Sequence, residues 1–284
     1  MATFKITLAY DGTDFVGWQR QAAGVSIQGL LEGALRELDE RDVAVTGAGR
    51  TDAGVHALGQ VAAFSIERPL TADAVVRAIN ARLPDAVRLL SAEEAPPSVH
   101  ARFDARAKSY RYRICNADVL SPFERRYAWH VPGALDGAAM RAAAQMLEGV
   151  HDFAAFQSAG SDVRTTGREI YSSQIVDGRL QIDWGIASRG SVAFGRSPES
   201  AICNLPSAIV TYEITGNGFL RHMVRAIVGS IVEVGRGRHP PEWMTEVLAS
   251  RDRGRAGPTA PAGGLFLVSV TYSVVESRFT SKEP

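Results

Sequence analysis

The run GAGRTDAGVHALGQ, Gly47 to Gln60, holds one carboxylate, Asp52, two residues after Arg50 and four before His56. Gly47, Gly49, Gly54 and Gly59 mark the run as a segment that bends. A nearby cation favours the charged form of a carboxylate. A charged carboxylate can act as nucleophile, base or metal ligand. No second acid lies in the run, so the paired carboxylates of a glycosidase are not visible locally. Asp52 and His56 alone do not complete a metal site. Read by itself, the run is at least as readily an Asp-Ala-Gly turn braced by Arg50.

The flanking sequence alternates strands and helices. Phe4, Ile6, Leu8 and Tyr10 alternate with polar or small residues and predict a strand closed by Asp11-Gly12. Ser26 can cap a helix with an apolar stripe of Ile27, Leu30, Leu31, Ala34, Leu35 and Leu38. Val43 and Val45 begin a short strand that leads into the glycine-punctuated run, and Val61 to Ile66 reads as a second strand. Thr71 caps another helix, ended by Pro84, and Ala86 to Leu90 reads as a strand. A second half follows, with strands at Tyr110–Ile114, Ala208–Ile214 and Leu265–Tyr272. Arg168–Trp184 reads as a hairpin turned at Asp177-Gly178. Helices are expected over Leu135–Gly149, over Phe219–Val234 and from about Glu242. The pattern is that of a mixed α/β or α+β protein. The boundary between halves is expected between His100 and Arg106, giving units of 1–103 and 104–284. The polar, glycine- and serine-rich stretch 185–207 reads as an exposed loop inserted in the second half.

With 284 residues, 45% of them hydrophobic and 22% charged, the chain can bury a sizeable core. Its 31 basic and 31 acidic side chains cancel, so contact with a polyanion must rest on a local patch. Only two cysteines are present, Cys115 and Cys203, in no zinc or disulfide pattern. The N-terminus lacks a signal-peptide core, and no stretch reaches the roughly 18 apolar residues of a membrane span. These features predict a soluble, cytoplasmic protein with no metal and no membrane partner.

Two basic groups stand out. Arg102, Arg106, Lys108, Arg111, Arg113, Arg125 and Arg126 interleave with Tyr110, Tyr112, Phe123, Tyr127 and Trp129. That mixture suits phosphate contact plus base stacking, and equally suits a solvated strand face beside core aromatics. Arg221 and Arg225 are four apart in a predicted helix, with His222 beside them, after Gly216-Asn217-Gly218. Spacing alone favours an ordinary surface pair there.

The ordered set of motifs is more specific than any one of them. Tyr10-Asp11-Gly12, Gly17-Trp18-Gln19-Arg20, the run from Arg50 to His56 and His100-Ala101-Arg102-Phe103 come first. Tyr110-Arg111-Tyr112, His151-Asp152-Phe153, Phe219 with His222-Met223-Val224-Arg225, and Gly264-Leu265 with Leu267 follow in order. Together they resemble the tRNA pseudouridine synthase A family over nearly the whole chain. The resemblance implies two similar α+β halves sharing a central, mostly antiparallel sheet, a homodimer, and no cofactor. It implies isomerisation of uridine to pseudouridine in the anticodon arm of tRNA, at positions 38, 39 and 40. Carried over, Asp52 is the catalytic aspartate, Arg225 its partner cation and Tyr110 the residue on the target base. Leu265 is expected to help wall the pocket against water. Arg50 is expected to fill the space of a flipped base or hold a phosphate. Arg102, Arg106, Lys108, Arg111, Arg221 and His222 are expected to contact RNA. The sequence departs from the pattern at the 185–207 insertion and at Arg221, where a histidine is expected. The rival readings are a tRNA-binding protein without activity and a nucleoside hydrolase that would release free uracil.

Overall fold

A computed structural model describes residues 1–158, 165–176 and 209–272. The first half supplies β1 (Ala2–Tyr10), α1 (Ile27–Asp39), β2 (Thr46–Gly47), β3 (His56–Ile66), α2 (Ala72–Asn80) and β4 (Val87–Ala95). The remainder supplies β5 (Ala107–Cys115), β6 (Trp129–His130), α3 (Gly137–Gln145), β7 (Gly149–Asp152), β8 (Gly167–Val176), β9 (Ile209–Gly216), α4 (Met223–Gly235), α5 (Trp243–Ser250) and β10 (Leu265–Thr271).

These strands form one sheet in the order β4-β1-β3-β10-β5-β9-β8-β7, with β2 paired to β3 and β6 to β5. The sheet is antiparallel except at β3–β10 and β5–β6. The β3–β10 seam is short: Phe266 stands opposite His56 and Leu267 opposite Ala57. The chain's last described strand thus lies mid-sheet, between strands from the first half and strands from the second. The mixed, mostly antiparallel architecture expected from the sequence is present.

Local sequence explains the elements that carry the site. In β1 the buried apolar side chains are Phe4, Ile6, Leu8 and Tyr10, as alternation requires. Ser26 caps α1, its Oγ accepting from the Gly29 amide, and Ile27, Leu31, Ala34, Leu35 and Leu38 are buried beneath. Helix α4 is apolar almost all round because it is buried everywhere but at Arg225, with α3 packed on it and the Pro258 carbonyl against Gly229.

Several boundaries differ from the sequence reading: α3 ends at Gln145 rather than Gly149, and β4 runs to Ala95 rather than Leu90. Val43 and Val45 are buried, but the strand there is only Thr46–Gly47. Strand β3 begins at His56 rather than Val61, so the end of the glycine-punctuated run, from His56 to Gln60, is sheet. Helix α4 begins at Met223 rather than Phe219, because His222 takes a left-handed conformation (φ 61°) that no preceding helical turn can accommodate. The predicted turn at Asp177-Gly178, Cys203 and the 185–207 stretch lie outside the described residues.

Candidate active site

Asp52 sits in the connection from β2 to β3. The Val55 amide donates to the Asp52 carbonyl over 3.1 Å, closing a turn around Ala53 and Gly54. Gly54 has φ +77°, the left-handed region that a side chain resists. The turn rests on the segment after β1. There the Trp18 amide donates to the Thr51 carbonyl (3.0 Å) and the Tyr10 hydroxyl pairs with Thr51 Oγ1 (2.8 Å). Gln60 donates from Nε2 to the Gly49 carbonyl at 2.9 Å. A Cβ on Gly12 would run into the Val55 carbonyl, so the two segments are in backbone contact. Of the four glycines in the run, Gly54 alone needs a positive φ. Gly47 is pressed on the Trp18 ring and Gly59 on the Val268 carbonyl. The glycines therefore fit this loop to protein neighbours as much as they bend it.

His56 has a structural position. It is fully buried, accepts from the Gly12 amide at Nδ1 (3.0 Å), and faces the carbonyls of Arg126 (3.1 Å) and Gly263 (3.0 Å) with Nε2. Those partners fit the neutral Nε2–H tautomer. Burial lowers the His56 pKa, although the Asp11 carboxylate at 3.1 Å opposes that shift. The imidazole ties the Asp52 loop to the turn that leads into β10. Among the described residues, no group of three His, Cys, Asp or Glu side chains is placed to hold a metal ion.

Two cationic or potentially cationic groups meet one oxygen of Asp52. Arg225 Nη1 lies 3.5 Å from Oδ2, and His222 Nε2 lies 3.4 Å from the same atom. Arg225 comes from the first turn of α4. Its Nε donates to the Ala260 carbonyl at 2.7 Å, and the Ala260 amide returns a bond to the Arg225 carbonyl at 3.0 Å. That double tie aims the guanidinium. His222 reaches Asp52 because its left-handed backbone turns the side chain away from α4. Its pKa is lowered by burial and by Arg225, Arg221 and Arg253, against the pull of Asp52, so the imidazole is neutral near pH 7.

Tyr110, on β5, is buried, and its ring meets Phe219 edge-on at 5.0 Å. Burial, Tyr10 and Asp52 raise its pKa well above the ordinary phenol value, so it remains a neutral phenol. Leu265 and Leu267 are buried on β10, directly opposite Tyr112 and Tyr110, and share their face of the sheet.

The structure thus brings Asp52, Arg225 and His222 together, with Tyr110 within electrostatic reach of Asp52. The other sequence-predicted residues divide. Arg111 lies on the opposite face of β5 from Tyr110 and pairs with Glu213 at 2.7 Å, and Arg113 pairs with Glu124 at 2.9 Å. Arg126 meets Asp14 at 3.4 Å. The basic run from Arg102 to Arg126 is therefore partly neutralised. Arg50, Arg102, Arg106 and Arg221 are exposed and have no carboxylate partner among the described residues. Arg221 precedes α4 and shares no helical face with Arg225. Sequence reasoning gave no role to Tyr10, Phe219 or Ala260, and it placed His222 against RNA rather than against Asp52.

Among the described residues no helix is long and apolar enough to cross a membrane. A family model described as tRNA pseudouridine synthase matches residues 6–104 and 143–273. The tRNA pseudouridine synthase A of Syntrophotalea carbinolica is 41% identical over 273 residues, spanning 96% of this chain and 97% of that protein. The like-named proteins of Pelobacter propionicus (42%, 100% of its length) and Myxococcus xanthus (43%, 92% of its length) also align over 96% of this chain. On this evidence of near full-length similarity, the chain belongs to the tRNA pseudouridine synthase family, whose members are isomerases of uridine in tRNA.

Proposed function

We propose that Asp52 is the carboxylate that acts on the target nucleotide, with Arg225 holding it in place, and that the uridines converted lie at positions 38, 39 and 40 of the anticodon arm. The observation that carries this reading is the meeting of Arg225 and His222 on one oxygen of Asp52 beside the buried Tyr110. The reaction breaks the bond from N1 of uracil to the ribose and remakes it from C5. Nothing is oxidised and no group leaves, so an enzyme needs a carboxylate, a platform for the loosened base and exclusion of water. Attack by Asp52 at C1′ and proton abstraction at C2′ both fit its position. Tyr110, kept neutral by burial, serves as platform and hydrogen-bonding group rather than as a phenolate base. Leu265 forms part of the dry wall. A stem nucleotide must leave its stack to reach Asp52, and Arg50, exposed two residues away, holds the RNA as it does so. No cofactor is required, and the protein acts in the cytoplasm as a homodimer. Pseudouridine mapping in an unmodified tRNA transcript tests the positions, and sedimentation of the full chain tests the dimer.

His222 gives the site a pH dependence. Its pKa lies below the usual histidine value, so it is neutral above that point and protonates as pH falls through it. A protonated His222 would place a second full cation on Oδ2 and blunt the carboxylate as base or nucleophile. The single-turnover rate is therefore expected to fall on the acid side, below about pH 6.5. His222→Gln should lose that part of the acid limb. Superimposable profiles for the two proteins would remove the role.

Binding is expected to be salt-sensitive although the net charge is zero. Arg50, Arg102, Arg106 and Arg221 are among the exposed cations without carboxylate partners in the described residues. Each phosphate they neutralise adds roughly 0.7 to 0.9 to the log–log slope of affinity against salt. A titration from low to moderate salt measures the slope, and a flat profile would eliminate a basic RNA groove.

A further inference from the structure

Lys108 has an unusual setting. It stands on the same face of β5 as Tyr110, one pleat away. Its side chain lies over Gly49, whose absent Cβ would come within 3.4 Å of Nζ. Gly49 is three residues before Asp52. The charged groups close enough to act on Lys108 are Arg102, from the turn before β5, and Arg168, at the start of β8. Its strand neighbours, Gly216 on β9 and Val270 on β10, carry no charge. Among the described residues no carboxylate or carbonyl lies within bonding distance of Nζ. Burial and the two arginines lower its pKa to about 8. Arg168 is half-buried and, among the described residues, donates to the carbonyls of Thr165 (3.0 Å) and Gly167 (2.5 Å), while its Nε would lie 3.6 Å from a Cβ on Gly218. Gly218 adjoins Phe219, the residue that packs on Tyr110.

Two arginines acting on a buried lysine, with no anion beside it among the described residues, form an arrangement that folding disfavours. It is relieved if a ligand supplies the negative charge. The bare glycines on either side, Gly49 and Gly218, leave room for a backbone to approach the cations closely. The place is beside the reaction centre on both sides, through Gly49 to Asp52 and through Phe219 to Tyr110.

We propose that Lys108, Arg168 and Arg102 hold a backbone phosphate of the RNA next to the reacting nucleotide. This rests on the functional reading above and adds Arg168 to the RNA-contacting residues. Phosphate binds the ammonium form of Lys108. Affinity is then complete below pH 8 and declines as pH rises through 8, because the free enzyme must regain a proton to bind. The decline is at most roughly tenfold per pH unit and ends at the higher pKa of the complex.

The test is equilibrium binding of an unmodified tRNA transcript to the full chain, in an Asp52→Asn background so that substrate is not consumed. Lys108→Met should weaken binding about tenfold and lower the log–log salt slope by roughly 0.7 to 0.9, one phosphate's share. Lys108→Arg should bind as well as the parent at pH 7 and lose the decline between pH 8 and 10. Arg168→Met should weaken binding in the same direction. Lys108→Met should melt no lower than the parent, because it removes a charge that lacks a partner, so weakened binding cannot be laid to misfolding. A salt slope unchanged in Lys108→Met, or a pH decline shared by Lys108→Arg, overturns the proposal. Pseudouridine formation by the wild-type chain is measured in parallel. If it is normal while the slope does not change, the phosphate site alone is wrong; if it is absent, the functional reading fails first.

Discussion

Asp52→Asn is expected to leave tRNA bound and pseudouridine unmade. Asparagine has nearly the shape of aspartate, and the turn around Ala53 and Gly54 is closed by main-chain atoms, the Val55 amide and the Asp52 carbonyl. The Thr51 contacts to Tyr10 and Trp18 also remain. The loop should therefore keep its place. What is lost is the anion: an amide cannot act as a carboxylate base or nucleophile, so the chemical step loses its agent. Affinity should survive, because it comes from phosphate contacts and from stacking worth roughly 1–3 kcal/mol per base. It should tighten slightly, since a carboxylate beside RNA repels phosphate. Gel-shift affinity and pseudouridine content after long incubation at excess enzyme give the two readouts. Turnover retained by Asp52→Asn, with deamidation excluded by mass spectrometry, would mean that the catalytic acid lies elsewhere.

Arg225→Gln should lower the rate by about a hundredfold or more, the scale on which a misplacement of about 1 Å acts in an oriented site. The guanidinium has two jobs at fixed geometry: Nε holds the Ala260 carbonyl at 2.7 Å while Nη1 faces Asp52 at 3.5 Å. Glutamine is shorter and neutral and cannot do both. Asp52 would lose its permanent cation and keep only the neutral His222. The Ala260 carbonyl would lose its donor, a penalty of about 1–3 kcal/mol if it finds no other. Arg225→Lys keeps the charge without the fork and should fall between the two. The measurement is the single-turnover rate against the thermal midpoint. A rate within a few-fold of wild type in Arg225→Gln would show that Asp52 needs no cationic support.

The elements that sequence made legible are those decided by near neighbours. Alternation in β1 and the Ser26 cap of α1 are visible over a few residues, and both are present. The pairing of Asp52 with Arg225, which meet at 3.5 Å, was expected only because the ordered motifs resemble one family; the run from Gly47 to Gln60 alone admits a plain turn. What sequence reading missed depends on residues far apart in the chain. Tyr10 braces Thr51 from 41 positions away, and Glu213 neutralises Arg111 from 102. Composition presents Arg111 as a free cation, and only sheet register shows it paired. His222 was expected against RNA as the neighbour of Arg221 in a basic group. Its left-handed backbone instead sends it to Asp52. The relation of Lys108 to Arg168 likewise exists only once β5, β9 and β8 are side by side.

The most direct test of the Asp52 site is the nucleoside balance of an unmodified tRNA transcript after a single turnover with the wild-type chain and, in parallel, with Asp52→Asn. Wild type should convert uridine to pseudouridine one for one, at positions 38 to 40 and with no free uracil, while Asp52→Asn produces neither product. Release of uracil, or pseudouridine formed equally by both proteins, would contradict the account.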